Sequence, residues 1–375
     1  MKTITTNLRQ LVPEYPIEHL SPEHEITPSD VLFLDIETTG LTAKNSNLFL
    51  IGCVYYQDRE WHAIQWLAEK YEEELQVLTA FFDLLKNYRY LIHYNGNQFD
   101  IPYLLQKCQQ FSLDYNFDHC EGVDIYRRAV PYRDILALPD LKQKTVEDFL
   151  GLVREDTCSG HDMISKYHDY VCTQDETLLN ELLLHNEDDL KGMLKVISIL
   201  SYSDLFHLPV RVMKAQASYY HDSNKKRCQE IVMRLRFQSP VPVPFSFRAL
   251  GCYFSAEGMD GTLKVPIYEE EMKFFYSNYK EYYYLPAEDM AMHKSVASFV
   301  DKSHRVQATA ANCYTRKQSM YLPEWDILFT PFFKREYRSK EFFFELTDEF
   351  KKSRSGFSMY AEHILQSMFE QWRQS

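Results

Sequence analysis

The run FLDIETTG, residues 33–40, ends an apolar stretch in two acids, Asp35 and Glu37. A strand sends residues i and i+2 to the same face, so the two carboxylates would stand side by side at its end. Like charges that close to a core disfavour each other's ionised form unless something positive lies between them. The chain must therefore fold so that this strand ends at an open edge. Whether the positive group is a metal depends on whether more acids arrive there from elsewhere in the chain.

The surrounding pattern supplies such a layer. Residues 31–35, 47–56 and 60–67 read as strands with short connections, an antiparallel meander. Residues 72–87 carry apolar positions at helical spacing, with acids in the first turn. Residues 89–94 form a fourth strand that stops at the turn signal Asn95-Gly96. A helix then starts around 100–102, since Pro102 suits a first turn, and runs to about Gln110. Residues 122–126 read as a fifth strand, followed by helices at 142–150 and 176–200. This order predicts an α/β layer with a mixed sheet, its hairpin strands first and its crossover strands later.

Past Ser201 the texture changes. PVPVP at 240–244 reads as a joint, and alternating aromatic stretches at 245–254 and 274–285 read as strands. A helix at about 358–372 closes the chain. The expected organisation is one domain over residues 1–200 and a second over 201–375, a β-rich α+β domain of no assigned fold.

Composition bounds the function. With 375 residues and 45% hydrophobic content the chain is globular rather than disordered. Its eight cysteines contain no CxxC pair, which argues against a structural zinc site or a disulfide framework and fits a reducing cytoplasm. No signal peptide or membrane-length apolar run is present, so no membrane partner is expected. The net charge of −13 is uneven: residues 1–200 hold 17 Lys and Arg against 33 Asp and Glu, residues 201–375 hold 24 against 21. An acidic half that gathers divalent cations beside a mildly basic half that meets phosphates accounts for this; ordinary solubility is the simpler account.

Two further acids extend the first pair. Asp100, in HYNGNQFDIPYL, stands at a helix start, where the helix dipole favours a carboxylate even in a plain capping role. LLLHNEDDLKGM places His185 and Asp189 four apart on one helix face, while Asp188 points elsewhere. Asp35, Glu37, Asp100 and Asp189 can converge at one edge of the sheet. Four carboxylates ionise together only with strong compensation, and two divalent cations, Mg²⁺ or Mn²⁺, suit their hard oxygens. Such a pair, about 3.5–4 Å apart, clamps the attacking and leaving oxygens of a phosphodiester, and His185 is placed to take the proton of the attacking water.

These stretches resemble the DEDD exonuclease superfamily of the ribonuclease-H-like fold, and within it the YprB-like proteins of bacteria. The matching segments are DIETTG at 35–40, HYNGNQFDIPYL at 93–104 and LLLHNEDD at 182–189, with LKQKTVEDFLGLVRED and SGHDMISKYHDY between them. The resemblance covers about residues 31–200. It implies a ribonuclease-H-like mixed sheet flanked by helices, and a 3′–5′ exonuclease in which Asp35, Glu37, Asp100 and Asp189 hold the metals. One branch of the superfamily has a tyrosine four residues before the last acid and another a histidine five before it; here His185 stands at the four-residue spacing. Asp188 is the alternative fourth ligand, and Asp124 a supporting acid or a strand-edge residue.

The expected substrate is single-stranded or frayed nucleic acid, DNA or RNA, near a 3′ end. Asn95 and Asn97 could offer amides to a phosphate from their turn. The cluster Lys225, Lys226, Arg227, with Arg234 and Arg236, could grip a strand, as could the basic residues near 294–317 and 334–340. Two alternatives stay open: a nucleic-acid-binding or regulatory scaffold with little turnover, and an endonuclease using the same metals. A protein partner of the second domain is a further expectation.

Overall fold

In the computed structural model, residues 1–9, 11–21, 23–154, 160–221 and 224–374 are described. Residues 155–159, which fall in the stretches between the motifs, lie outside them. Two compact units form: residues 1–204 with 239–243, and residues 205–238 with 244–375.

The first unit is built on a six-stranded sheet. Its strands are β1 (Lys2–Asn7), β2 (Val31–Thr38), β3 (Leu48–Gln57), β4 (Glu60–Leu67), β5 (Tyr90–His93) and β6 (Glu121–Asp124), in the order β1-β4-β3-β2-β5-β6. β2 pairs antiparallel with β3 and parallel with β5, and β5 pairs parallel with β6, so the sheet is mixed as expected. The β3–β4 turn places Asp58 and Arg59 at positive φ, the conformation a two-residue hairpin needs. The edge strand β1 is an addition to the sequence reading: KTITTN alternates but is short, and it pairs with β4 from Lys2↔Leu67 to Asn7↔His62.

Helices cover both faces. α1 (Glu74–Leu85) and α2 (Asp100–Gln110) bury Val77, Phe81, Tyr103 and Leu104 against Leu32, Leu34 and Ile36 of β2. Residues 125–126, expected in a strand, instead open the short helix α3 (Ile125–Ala129), because Asp124 accepts from the Arg127 amide and caps it. α4 (Gln143–Phe149), α5 (Gly160–Thr173) and α6 (Glu176–Val196) follow. α5 and α6 bury Tyr167, Tyr170, Leu179 and Leu182 against Phe49, Leu50 and Leu67. The seven described cysteines are free.

α7 (Ser201–His207) spans the boundary in sequence between the units. The second unit holds β7 (Arg211–His221), β8 (Arg227–Ala249), β9 (Cys252–Phe275), a small sheet of β10 (Tyr282–Leu285), β11 (Met290–His293) and β12 (Val306–Gln307), the helix α8 (Lys294–Ala297), then β13 (Tyr314–Glu324), β14 (Phe332–Phe333), β15 (Phe342–Glu345) and α9 (Arg354–Gln374). The main sheet runs β14-β15-β13-β9-β8-β7 and is antiparallel. The chain passes back to the second unit inside PVPVP, between Val243 and Pro244, but its prolines break no strand. They lie inside β8, since the fixed φ of proline fits extended backbone, and residues 239–243 belong to the first unit. There Val243 gives its amide to the Tyr202 hydroxyl at 3.1 Å and accepts from it at 2.7 Å. Among the described residues no helix is long and apolar enough to cross a membrane.

Candidate active site

β2 alternates. Leu32, Leu34 and Ile36 face the core under α1 and α2, which leaves Asp35 and Glu37 on the other face. The register of β2 against β3 shifts between Glu37 and Thr38, a bulge that ends the regular pairing beside the two acids. α6 runs over this face and brings His185, Asn186 and Asp189 to it. His185 Nε2 lies 3.5 Å from Glu37 Oε1 and 3.6 Å from Asp189 Oδ2. Glu37, His185 and Asp189 each offer a ligand atom, all within 4.8 Å of one another.

Asp100 arrives from the start of α2. Burial pushes its carboxyl up to about 7 and the nearby Asp124 pushes the same way, while its own amide and that of Ile36, between Asp35 and Glu37, pull it down. Asp35 is raised well above the carboxylate range, first by burial and then by the charges of Asp189, Glu37 and Asp100. Each of the other three expected acids thus acts on Asp35. A donor set of carboxylates that repel one another this strongly fits hard divalent cations.

Asp35 is held in place by a neighbour the sequence reading passed over. Asn186 Nδ2 donates to Asp35 Oδ2 at 2.7 Å, and Asn186 Oδ1 accepts from Gln65 Nε2 at 2.8 Å. Gln65 Nε2 also donates to the Leu183 carbonyl at 2.9 Å. Asp35, Gly52 and Gln65 lie on one rung across β2, β3 and β4. Gly52 is what lets Asn186 reach across that rung: a Cβ there would meet Asn186 Oδ1 at 2.0 Å.

Arg154 is a second missed residue. Its Nη2 pairs with Asp189 Oδ1, and its Nη1 with Glu147 Oε2 at 3.0 Å. Glu147 lies on α4, is raised by burial, and accepts from Gln143 at 2.9 Å. The signal for Arg154 was only a single arginine in a loop. Asp188 does not join the acids; it lines a separate small cavity with Arg154, Lys191 and Lys195.

Asp35, Glu37, His185 and Asp189 line a cleft of about 670 Å³, whereas Asp100 is buried and is not part of its lining. Its other walls carry Tyr94, Asn95, Tyr126, Lys142 and Lys144. The Tyr94 hydroxyl donates to the Leu141 carbonyl at 2.7 Å, and its ring meets Tyr126 edge-on at 6.2 Å. Cations and aromatic rings therefore face the acids within the first unit, where the sequence reading found no such surface.

The 95–97 turn is differently disposed from the expectation. Its amides are spent internally: Asn95 and Asn97 donate to Asp124 at 3.0 and 3.3 Å, and Gly96 to His93 Nδ1 at 3.1 Å. Asp124 thus ties the turn and caps α3. Only the Asn95 side chain lines the cleft, and its Oδ1 is buried without a partner; Asn97 is exposed. Lys225, Lys226 and Arg227 are exposed in the second unit beside the start of β8, and the Arg227 guanidinium lies 4.0 Å over the Tyr219 ring.

No curated protein matches the chain. Among solved structures, it is similar to the family B DNA polymerase from the hyperthermophilic archaeon Pyrobaculum calidifontis, with 13% identity over 69% of this chain and 36% of that one, TM-score 0.36. It is also similar to Escherichia coli exonuclease I in a complex with single-stranded DNA, with 12% identity over 56% and 55% of the two chains, TM-score 0.28. The chain thus spans about a third to just over half of these neighbours' length. The RNase H superfamily matches over residues 32–201, the span that holds β2 to β6, both acid-bearing helices and the cleft. The match to the RNase H superfamily thus covers just under half of the chain.

Proposed function

We propose that the chain is a metal-dependent 3′–5′ exonuclease that hydrolyses phosphodiester bonds of single-stranded DNA or RNA. The observation that supports the reading is a cleft lined by Asp35, Glu37, His185 and Asp189, with Tyr94, Tyr126, Lys142 and Lys144 among its other walls, and Asp100 buried near enough for its charge to raise Asp35. In this reading Asp35, Glu37, Asp100 and Asp189 hold two Mg²⁺ or Mn²⁺ ions, which when bound lower the pKa of the attacking water and offset charge on the phosphate. Asn186 fixes the rotamer of Asp35 so that its free oxygen faces the cleft. His185 Nε2 accepts the proton of a water whose oxygen bonds to the phosphorus, and the 3′ oxygen of the preceding nucleotide leaves and takes a proton from solvent. Lys142 and Lys144 meet the phosphates, and Tyr126 offers a ring to the terminal base. A cytoplasmic, bacterial enzyme is the setting proposed from the resemblance.

The test is degradation of end-labelled single strands with Mn²⁺ or Mg²⁺, wild type beside Asp35→Ala. Stepwise loss from the 3′ end, absent in the variant, is the expected result. No cleavage of either nucleic acid, or cleavage that survives Asp35→Ala, overturns it; internal cuts would replace it with the endonuclease. One observation favours the second reading, a scaffold with little turnover: Arg154 already neutralises Asp189.

A further inference from the structure

The second unit carries an unusual charge arrangement. β7 and β8 pair antiparallel, and two successive cross-strand pairs on their exposed face are both basic: Arg211 opposite Arg236, and Lys214 opposite Arg234. Like charges directly opposite each other in a sheet destabilise it. Solubility alone gives no reason to stack them in register on a chain of net charge −13. Among the described residues only Arg236 of the four meets a carboxylate, Asp260 at 3.0 Å. Arg234 instead donates to the Thr262 hydroxyl at 2.7 Å.

A cleft of the same unit takes in one of these cations. β8 and β9 join through Leu250 and Gly251, both at positive φ, and with Met213 of β7 they line an open cleft of about 1040 Å³. Its lining includes Arg234, Met213, Phe245 and Tyr253, with Glu257 and Asp260 as its acids. Tyr253 is itself flanked by two cations, Arg248 at 4.8 Å and Lys264 at 5.8 Å from its ring. Of the two basic pairs Arg234 lines this cleft, and Arg236 follows it at about 7 Å along β8.

We propose that this face is a second binding site for single-stranded nucleic acid, with the phosphates on Arg211, Lys214, Arg234 and Arg236 and a base stacked on Tyr253. The inference rests on the nuclease reading for its choice of polyanion. Paired cations and a cation-flanked ring combine the two contacts a single strand offers, phosphate and base face, where an acidic peptide would use only the first. A strand held here would stay bound while its end is trimmed.

The experiment is fluorescence anisotropy of labelled single-stranded DNA of about 20 nucleotides, longer than one binding site, with the full chain in EDTA. Lys214→Ala with Arg234→Ala should weaken binding about 10-fold and reduce the slope of log affinity against log salt by about 1.4, two phosphates at about 0.7 each. Lys214→Arg with Arg234→Lys should restore both. Tyr253→Ala should weaken binding about 10-fold with the slope unchanged. Wild-type affinity and slope in the double variant, with Mn²⁺-dependent shortening of DNA intact in the wild type, overturn this proposal alone. Loss of poly-glutamate binding with DNA binding kept also overturns it, in favour of an acidic protein. Wild-type protein that neither binds nor shortens single strands overturns both this site and the nuclease reading.

Discussion

Asn186 donates to Asp35 across the narrow point that Gly52 leaves in β3. This bond decides which oxygen of Asp35 is left for the cleft, and it depends on Gln65, which holds the Asn186 amide the right way round.

Asn186→Ala is expected to cost about 1–2 kcal/mol of stability, the usual cost of an unmade buried hydrogen bond, and to lower turnover more than that loss alone explains. Gln65→Ala should reproduce part of the effect. The double variant should be non-additive, since the two residues serve one carboxylate. Gly52→Ala should mimic Asn186→Ala by displacing its Oδ1. Additive turnover losses, read beside thermal melts, would rule out the shared role.

Metal binding should depend on pH. Asp100, at about 7 without metal, and the raised Asp35 must lose protons to become ligands, so Mn²⁺ affinity should rise as pH increases from 6 to 8. Calorimetric titration at both pH values checks this. Asp100→Asn should weaken binding and flatten the dependence, and Asp35→Ala with Asp100→Ala should abolish stabilisation by Mn²⁺ against heat.

His185 stands close enough to Glu37 and Asp189 to be either base or ligand. His185→Ala should lower turnover about 10²-fold while keeping the Mn²⁺-induced rise in Tm if it is the base. Loss of that thermal shift would instead make it a ligand.

Arg154→Gln removes the cation shared by Asp189 and the buried Glu147. The metal-free protein should melt lower, because two carboxylates lose their partner. The Mn²⁺-induced stabilisation should grow, because Asp189 no longer carries a resident charge. An unchanged Mn²⁺ response would separate Arg154 from the metal site.

Glu324, at the end of β13, is wholly buried and pushed by burial to about 7, with the Leu328 and Phe329 amides pulling against that. A carboxyl raised in the folded state binds its proton more tightly there than in the unfolded chain. Its contribution to stability is therefore fully present below about 4.5 and is lost as pH rises to about 7, on the order of 3 kcal/mol. Glu324→Gln should flatten that part of the stability–pH curve, measured by urea unfolding between pH 5 and 8.

The acids were legible in the sequence because their positions follow from local periodicity: two apart on a strand, four apart on a helix, one at a helix start. The mixed sheet was legible because each strand and helix carries its own pattern and turn signal. Asn186, Gly52 and Gln65 were not, because their meeting is set by the register of three strands and the placement of a helix over them. Nothing in HNEDD distinguishes the asparagine that touches Asp35 from a solvated one. Lys142, Lys144 and Tyr126 were passed over for a similar reason: they become one wall only when the start of α4 and α3 come to the same cleft. PVPVP does hold a change of unit, between Val243 and Pro244, yet the strand runs on through it, because proline breaks helices and inner sheet pairing but is at home in extended backbone.

Residues 239–243 return to the first unit after the chain has already entered the second, so the backbone passes between the units three times. No single cut in the chain frees one unit whole. A fragment ending at Asp204 would lack the Ser239 hydroxyl that donates to the Asp204 carboxylate and the Val243 backbone that pairs with the Tyr202 hydroxyl. Unfolding the second unit pulls on a strand that the first needs. The two should therefore melt as one cooperative system, and inherited or engineered exchange of either half has to carry this five-residue stitch with it.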